Sequence, residues 1–249
     1  LSADMMPHER EMRENGEPVV GESMCFPVPD DMIACDPFEI SSTWPQILAI
    51  DFGGDHPFAC IKLAFDPNGD KKKCFVVDCV KERRLTPSQE MSIIKAMGGG
   101  KIPVAWPHDG NKLDKSSGKP IADLYRGENN EIKLLSACFS NPPESGKPEG
   151  SGGQGVEAGL KKMYWAMTEG RFKVFRHLTE WFKEKGMYHR KPNQNGEVAV
   201  VRLNDDLMSA TRYGYMSALT ANDDFRFAET INNKSDFFRP LNINYKWVK

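Results

Sequence analysis

The sequence predicts an α/β layered domain built on a mixed sheet. Two observations carry that expectation. Three apolar runs, Trp44 to Asp51, Phe58 to Phe65 and Cys74 to Val80, follow one another with Gly- and Pro-marked turns between them, the pattern of a three-strand meander. Beyond residue 86, strand-like and helix-like segments alternate, so later strands return to the same sheet through crossovers.

Residues 1–45 are rich in Pro, Glu, Asp and Met, and beyond a short helix over His8 to Asn15 they show little periodicity. They are expected to form an acidic arm or linker, with 46–220 as the folded domain and 221–249 as a polar tail. Phe52 to Pro57 and Asp66 to Asp70 are the two turns of the meander. Thr86 is placed to cap a helix that has Pro87 in its first turn and stops at Gly98-Gly-Gly100. Ile102 to Trp106 and Ile132 to Leu135 read as short buried strands, with a polar loop at Asp109 to Gly118 and a helical turn at Ile121 to Tyr125 between them. Asn141 to Gly155 is rich in Gly and Pro and is expected to be a mobile excursion. Val156 to Glu169 places apolar residues at helical spacing, Phe172 to Phe175 is a strand, and Leu178 to Lys185 is a helix ended by Gly186. Pro192 to Gly196 is the turn of a hairpin between Met187 to Lys191 and Glu197 to Leu203. Asn204-Asp205-Asp206 then starts a last helix, Leu207 to Leu219.

At 249 residues and 28.1 kDa the chain is long enough to bury a substantial core, and its 39% hydrophobic and 27% charged composition excludes collagen, coiled coil and wholesale disorder. No window reaches the roughly 20 apolar residues of a membrane-spanning helix. The acidic start lacks the apolar segment of a signal peptide, so a cytosolic protein with no membrane partner is expected. Cys25, Cys35, Cys60, Cys74, Cys79 and Cys138 form no C-x-x-C pair and have no His at zinc-finger spacing, which predicts reduced, mostly buried thiols. Cys74 and Cys79, five apart in one strand, are expected on opposite faces. The net charge of -2 conceals a division: residues 1–60 carry 12 acids and 2 bases, 61–202 carry 25 bases and 17 acids, and 203–249 carry 6 of each. A basic middle block is either covered by the acidic arm or forms a groove for a polyanion.

Asp51 is the sharpest candidate, because it closes an apolar strand and is followed by Phe52-Gly-Gly. A carboxylate at the end of a buried strand is costly unless it meets a cation or a partner. Asp109 follows a second buried strand, and Asp205 and Asp206 stand at a helix start. Acids at three element ends of one α/β sheet can converge on hard divalent metals. Each has a plainer reading, as a helix cap for Asp205 or Asp206 and as a turn residue for Asp109. Asp55, His56 and His108 are candidates to support those ligands or to touch substrate. Two glycine-rich stretches resemble phosphate loops without being them. Gly98-Gly-Gly-Lys101 lacks the Ser or Thr of a P-loop, and Gly150-Ser-Gly-Gly-Gln-Gly155 follows a Pro-rich loop instead of a strand.

The runs Ala49-Ile-Asp-Phe-Gly-Gly-Asp-His-Pro-Phe58, Val104-Ala-Trp-Pro-His-Asp-Gly110, Gly170-Arg-Phe-Lys-Val-Phe175, Trp181-Phe182, Tyr188-His-Arg-Lys191 and Asn204-Asp-Asp-Leu-Met-Ser-Ala-Thr-Arg-Tyr213 occur in this order. Together they resemble the nuclease domain of tailed-phage large terminase subunits, the P22-like and Sf6-like branch, over roughly residues 45–215. The resemblance implies an RNase H-like fold with helices on both faces of the sheet, two Mg2+ or Mn2+ ions, and cutting of double-stranded DNA. It aligns Asp51 with the first catalytic carboxylate, Asp109 with the second and the Asp205-Asp206 pair with the third, Asp206 being favoured. Ser209 stands where many relatives have a further acid. The basic block then becomes a DNA surface, with Lys112, Lys115, Lys119, Arg171, Lys173, Arg176, Arg190 and Lys191 as candidate phosphate contacts. Portal protein and small terminase subunit are the implied partners, and host cytoplasm and the procapsid portal the implied location. The P-loop of the family's ATPase half is absent from the sequence, so no ATP hydrolysis is expected. Three acids on this fold are also compatible with a resolvase or an RNA-cutting enzyme. Asp51-Phe-Gly-Gly would suit an actin-like nucleotide site, and a non-catalytic portal-docking module is a further alternative.

Overall fold

A computed structural model describes residues 23–220, apart from 55, 69–72, 128–130, 142–154, 193, 195 and 197. The expected helix over His8 to Asn15, the tail 221–249, Asp55 and most of the Gly150 to Gly155 stretch lie outside the described residues. In chain order the elements are β1 (Ser23–Met24), α1 (Asp30–Ile33), β2 (Ala34–Cys35), β3 (Gln46–Asp51), β4 (Phe58–Asp66) and β5 (Lys73–Glu82). There follow α2 (Pro87–Ala96), β6 (Val104–Ala105), a 3-10 turn (His108–Asn111), α3 (Ile121–Arg126), α4 (Val156–Thr168), β7 (Phe172–Phe175), α5 (Thr179–Met187), β8 (His189–Pro192), β9 (Val198–Val200) and α6 (Asp206–Thr220).

The meander forms as expected, with β3 antiparallel to β4 and β4 to β5. Parallel strands extend it on both sides, giving a six-stranded mixed sheet in the order β2-β7-β5-β4-β3-β6. Alternation along β3 turns Ile47, Ala49 and Asp51 to one face and Leu48 and Ile50 to the other. On the first face lies α6, whose Gly214 backbone comes so close that an added Cβ would stand 3.0 Å from Ala49 Cβ and 3.0 Å from a Leu63 methyl. Beside α6, Trp181 of α5 is fully buried, with its indole N–H donating to Thr211 of α6 at 3.0 Å. The opposite face is covered by α2, which starts with a reciprocal capping pair between Thr86 and Gln89 and stops where Gly98 takes φ +109°. Ile132 to Leu135 is reduced to one parallel bridge, Leu134 to Val104, because β6 itself is only two residues long between Pro103 and Pro107.

Register slips once in β5. Lys62 of β4 opposes Asp78, whereas Leu63 opposes Val76, so Val77 is an extra residue. That bulge corrects the expectation for the two strand cysteines. Cys74 opposes Phe65 and Cys79 opposes Ile61, both on the α6 face, so Cys74 and Cys79 share a face. All six cysteines are free.

The segment 23–45 is not an arm. Strand β1 pairs with β8, β2 forms an edge of the main sheet, and Cys25, Phe26 and Ile33 are fully buried. Lys185 of α5, itself buried, donates to the Val28 carbonyl at 2.5 Å and to Asp30 at 2.8 Å. The expected hairpin is the antiparallel pair β8 and β9, which with β1 makes a second, three-stranded sheet.

Arg190 in that sheet is likewise not a surface residue. It is 0% exposed, and its Nε and Nη2 donate to both carboxylate oxygens of Glu157 on α4 at 3.1 and 2.9 Å. A guanidinium enclosed in this way has no face left for a phosphate. Arg190→Ala is expected to cost about 3 kcal/mol in urea unfolding, the loss typical of breaking a buried ion pair. Lys191→Ala, at an exposed neighbour, should stay within about 0.5 kcal/mol.

Candidate active site

Three of the expected side chains meet where β3 ends. Ligand-capable atoms of Asp51, His56 and Asp206 all lie within 4.8 Å of one another. Asp51 arrives from the last position of β3, opposite Ala59 of β4, which in turn opposes Lys81 of β5. Ala59 leaves room over the sheet between the acid and the lysine, and the first residue of α6, Asp206, descends into it. His56 Nδ1 stands 3.1 Å from Asp206 Oδ1 and also 3.1 Å from the Pro57 carbonyl.

The other oxygen of Asp206 is held by a residue that the sequence did not single out. Lys81 Nζ lies 2.8 Å from Asp206 Oδ2 and 2.6 Å from Glu184 Oε2. The approach to Oδ2 is an ion-pair contact without hydrogen-bond alignment, so this buried oxygen has no hydrogen-bonded partner. Glu184, on α5 and 2% exposed, accepts the Met208 backbone N–H of α6 at 2.8 Å. It thereby satisfies one of the open amide groups in the first turn of α6. One sequence signal existed for Glu184: it falls three residues after Trp181, on the helix stripe that carries the core.

A second buried glutamate braces the loop after Asp51. Glu90 of α2, 3% exposed, accepts the Gly53 N–H and the Tyr125 hydroxyl. A Cβ on Gly53 would stand 2.4 Å from Glu90 Oε1, so the glycine lets the backbone reach the carboxylate. Gly110 has a similar role beside Asp109, since a Cβ there would run into Trp106 at 2.5 Å and Phe52 at 2.8 Å. The Asp51-Phe52 corner and the Asp109-Gly110 turn are thus packed ring against backbone.

Asp109 itself is exposed and pairs with Lys112 at 2.9 Å, outside the three-residue cluster. It is close enough to act on Asp51 through its charge. Asp205 turns back onto α6, where its Oδ2 accepts the Ser209 hydroxyl at 3.3 Å. His108 is exposed at the head of the 3-10 turn. Lys112, Lys115 and Lys119 are exposed in the loop after Asp109. That loop is held by Asp114, which accepts the backbone N–H groups of Ser116 and Ser117 at 3.1 and 2.7 Å. The other expected DNA contacts are engaged within the chain: Arg171 with Glu169, Lys173 with the Met32 carbonyl, and Arg176 with Asp31 and Asp36. Lys191 is exposed at the hairpin.

Burial, opposed by His56 and reinforced by Asp206, Asp205 and Asp109, pushes the Asp51 carboxyl up to about 7. Burial and then Asp206 raise Asp205. Burial works against the charged form of His56, but Asp51, the Pro57 carbonyl and Asp206 outweigh it and raise the imidazole. Crowded acids with an imidazole beside them fit a divalent cation. The two carboxylates supply the hard oxygens that suit Mg2+ or Mn2+, and the histidine nitrogen suits Mn2+.

Residues 48–218 match the family model described as the terminase RNase H-like domain. The large terminase subunit of Enterobacteria phage LP7 is 38% identical over 224 residues, which is 90% of this chain and 43% of that protein. The chain therefore spans about two fifths of that relative. Among solved structures, the P22 large terminase nuclease domain superposes with a TM-score of 0.65 at 34% identity, covering 82% of this chain and 98% of that domain. The nuclease domain of the phage SPP1 large terminase with bound Mn shares the fold, at 14% identity and a TM-score of 0.52, over 76% of this chain and 97% of that one.

The Asp51 environment gives a stability test. Its folded value of about 7 lies above the ordinary carboxylate value of 3.8, so ionising it opposes folding. The penalty is absent below pH 3.8, grows as pH rises and is complete above about 7. In EDTA, Asp51→Asn should raise the melting temperature at pH 8, reflecting a stabilisation whose upper limit is on the order of 4 kcal/mol. At pH 4 the mutant and the parent should melt together.

Proposed function

This chain belongs to the terminase RNase H-like domain family, and on that premise we propose that it is the DNA-cutting part of a phage large terminase subunit. The observation that carries the proposal is the meeting of Asp51, His56 and Asp206 at the end of the central strand, in a chain that is similar over 82% of its length to the P22 nuclease domain. The activity is endonucleolytic hydrolysis of double-stranded DNA in the host cytoplasm, where portal protein and small terminase subunit are the partners of the whole motor. Among the described residues, no helix is long and apolar enough to cross a membrane.

Asp51 and Asp206 would hold a divalent ion, with His56 beside them, and Asp109 would join from its exposed turn to complete a site for two ions. Bound there, Mg2+ or Mn2+ supplies a water of lowered pKa and neutralises charge on the phosphodiester. The chain's own residues aim the carboxylates and deliver the substrate. Lys81 and His56 fix the two oxygens of Asp206, and Glu90 fixes the turn after Asp51. Lys112, Lys115 and Lys119 offer positive charge to the phosphate backbone on the Asp109 side, in contacts that carry no sequence information.

With Mn2+ the purified chain should nick and linearise supercoiled plasmid. Asp51→Asn and Asp109→Asn should each lower the rate about a hundredfold or more while circular dichroism stays unchanged. Normal cutting by both variants would refute the site. Preference for a branched junction or for an RNA–DNA hybrid over the plasmid would reassign the substrate. A Lys115→Ala/Lys119→Ala double variant should bind duplex DNA more weakly, with a salt dependence shallower by one to two phosphate contacts, roughly 0.9 in slope for each.

A further inference from the structure

Glu184 lies on α5, contributes no atom to the Asp51, His56 and Asp206 cluster, and is nevertheless among the most buried charged side chains of the described domain. A carboxylate in that position is expensive unless both oxygens are satisfied. Here both are. Oε1 accepts the Met208 N–H of α6 at 2.8 Å and Oε2 takes the Lys81 ammonium at 2.6 Å. The same ammonium reaches Asp206 Oδ2 at 2.8 Å, while Asp206 Oδ1 faces His56 and Asp51.

We propose that Glu184 is a positioning residue for the metal ligand Asp206: by sharing Lys81 with it and holding the first turn of α6, Glu184 commits one oxygen of Asp206 to the ion and keeps Lys81 from competing for it. This rests on the metal-site reading above. With two carboxylates around it, the ammonium divides its attraction between Glu184 and Asp206. With Glu184 neutral, the attraction falls on Asp206 alone, and the lysine becomes a rival of the divalent cation for the same side chain. The arrangement also separates the adjacent acids. Asp206 is held by Lys81 of β5 and His56 and turned into the cluster, whereas Asp205 is tied to Ser209 of its own helix.

The test is Mn2+ binding to the full chain, measured by calorimetry and by the loss of the free-ion electron paramagnetic resonance signal. Glu184→Gln keeps an oxygen for the Met208 N–H and removes only the charge beside Lys81. It should weaken Mn2+ binding about tenfold, the effect typical of removing a group that orients a ligand. Lys81→Met added to Glu184→Gln should restore binding to within about threefold of the parent, a recovery that a purely structural role for Glu184 would not give. Unchanged Mn2+ affinity in a folded Glu184→Gln chain would overturn the inference, and so would a double variant as weak as the single one. Should Glu184→Gln fail to fold, Glu184→Asp, which draws the carboxylate back from Lys81, takes its place: weaker Mn2+ binding that Lys81→Met restores supports the sharing, and unchanged affinity overturns it. If the unaltered chain bound no Mn2+, the metal-site reading would fall together with this inference. Loss confined to the Glu184 comparisons leaves that reading standing.

Discussion

The contact on which the rest of the site depends is the grip on Asp206, with a histidine on one oxygen and a lysine on the other. Without it, two carboxylates from distant parts of the chain would face each other across the end of β3 with nothing to hold them there. Burial favours the neutral form of Asp51, and mutual repulsion favours separation. Lys81 and the amino end of the fifteen-residue helix α6 oppose both tendencies. The sheet supplies the frame, since Asp51, Ala59 and Lys81 occupy one row across three strands. Only the middle position of that row is small, and there the helix can enter.

The candidate acids were visible in the sequence because each sits where an element ends, beside a glycine or a helix start. Asp51 and the Asp205-Asp206 pair are of this kind, and of these the fold joins Asp51 with Asp206. The residues that hold them were not visible. Lys81 looks like the polar end of an ordinary strand, and Glu184 sits in the charged run Lys183-Glu-Lys185. Their meaning arises from contacts spanning more than a hundred positions. Glu90 was hidden as well, reading as a normal acid in the first turn of a helix, while its partners Gly53 and Tyr125 come from neighbouring elements. Residues 23–45 were misread because their buried side chains, such as Phe26 and Ile33, come in short groups among prolines and acids, with no period to mark them.

Composition gave the basic middle block but not its exposure. Arg190 and Lys185 lie inside, and Lys173 and Arg176 are occupied by the segment around Met32 and Asp36. The acidic stretch therefore does cover part of the basic body, on the β7 side, as a piece of the fold instead of a loose arm. Next to Asp109, Lys112, Lys115 and Lys119 remain exposed. The overall charge of -2 thus says little about where an anion could approach.

The extra residue in β5 gives the strand two careers. Before Val77, its alternation sends Cys74 and Val76 beneath α6 to fill the core; after it, the same face is served by Cys79 and Lys81. Odd and even positions exchange meaning at a single point. Removing Val77 would leave the apolar first half of the strand in place and rotate Lys81 to the α2 side, away from Asp206. The hydrophobic pattern would survive and the electrostatic one would not. A one-residue length change in this strand is thereby a parity operation, able to separate the site from the scaffold without altering any amino acid in either.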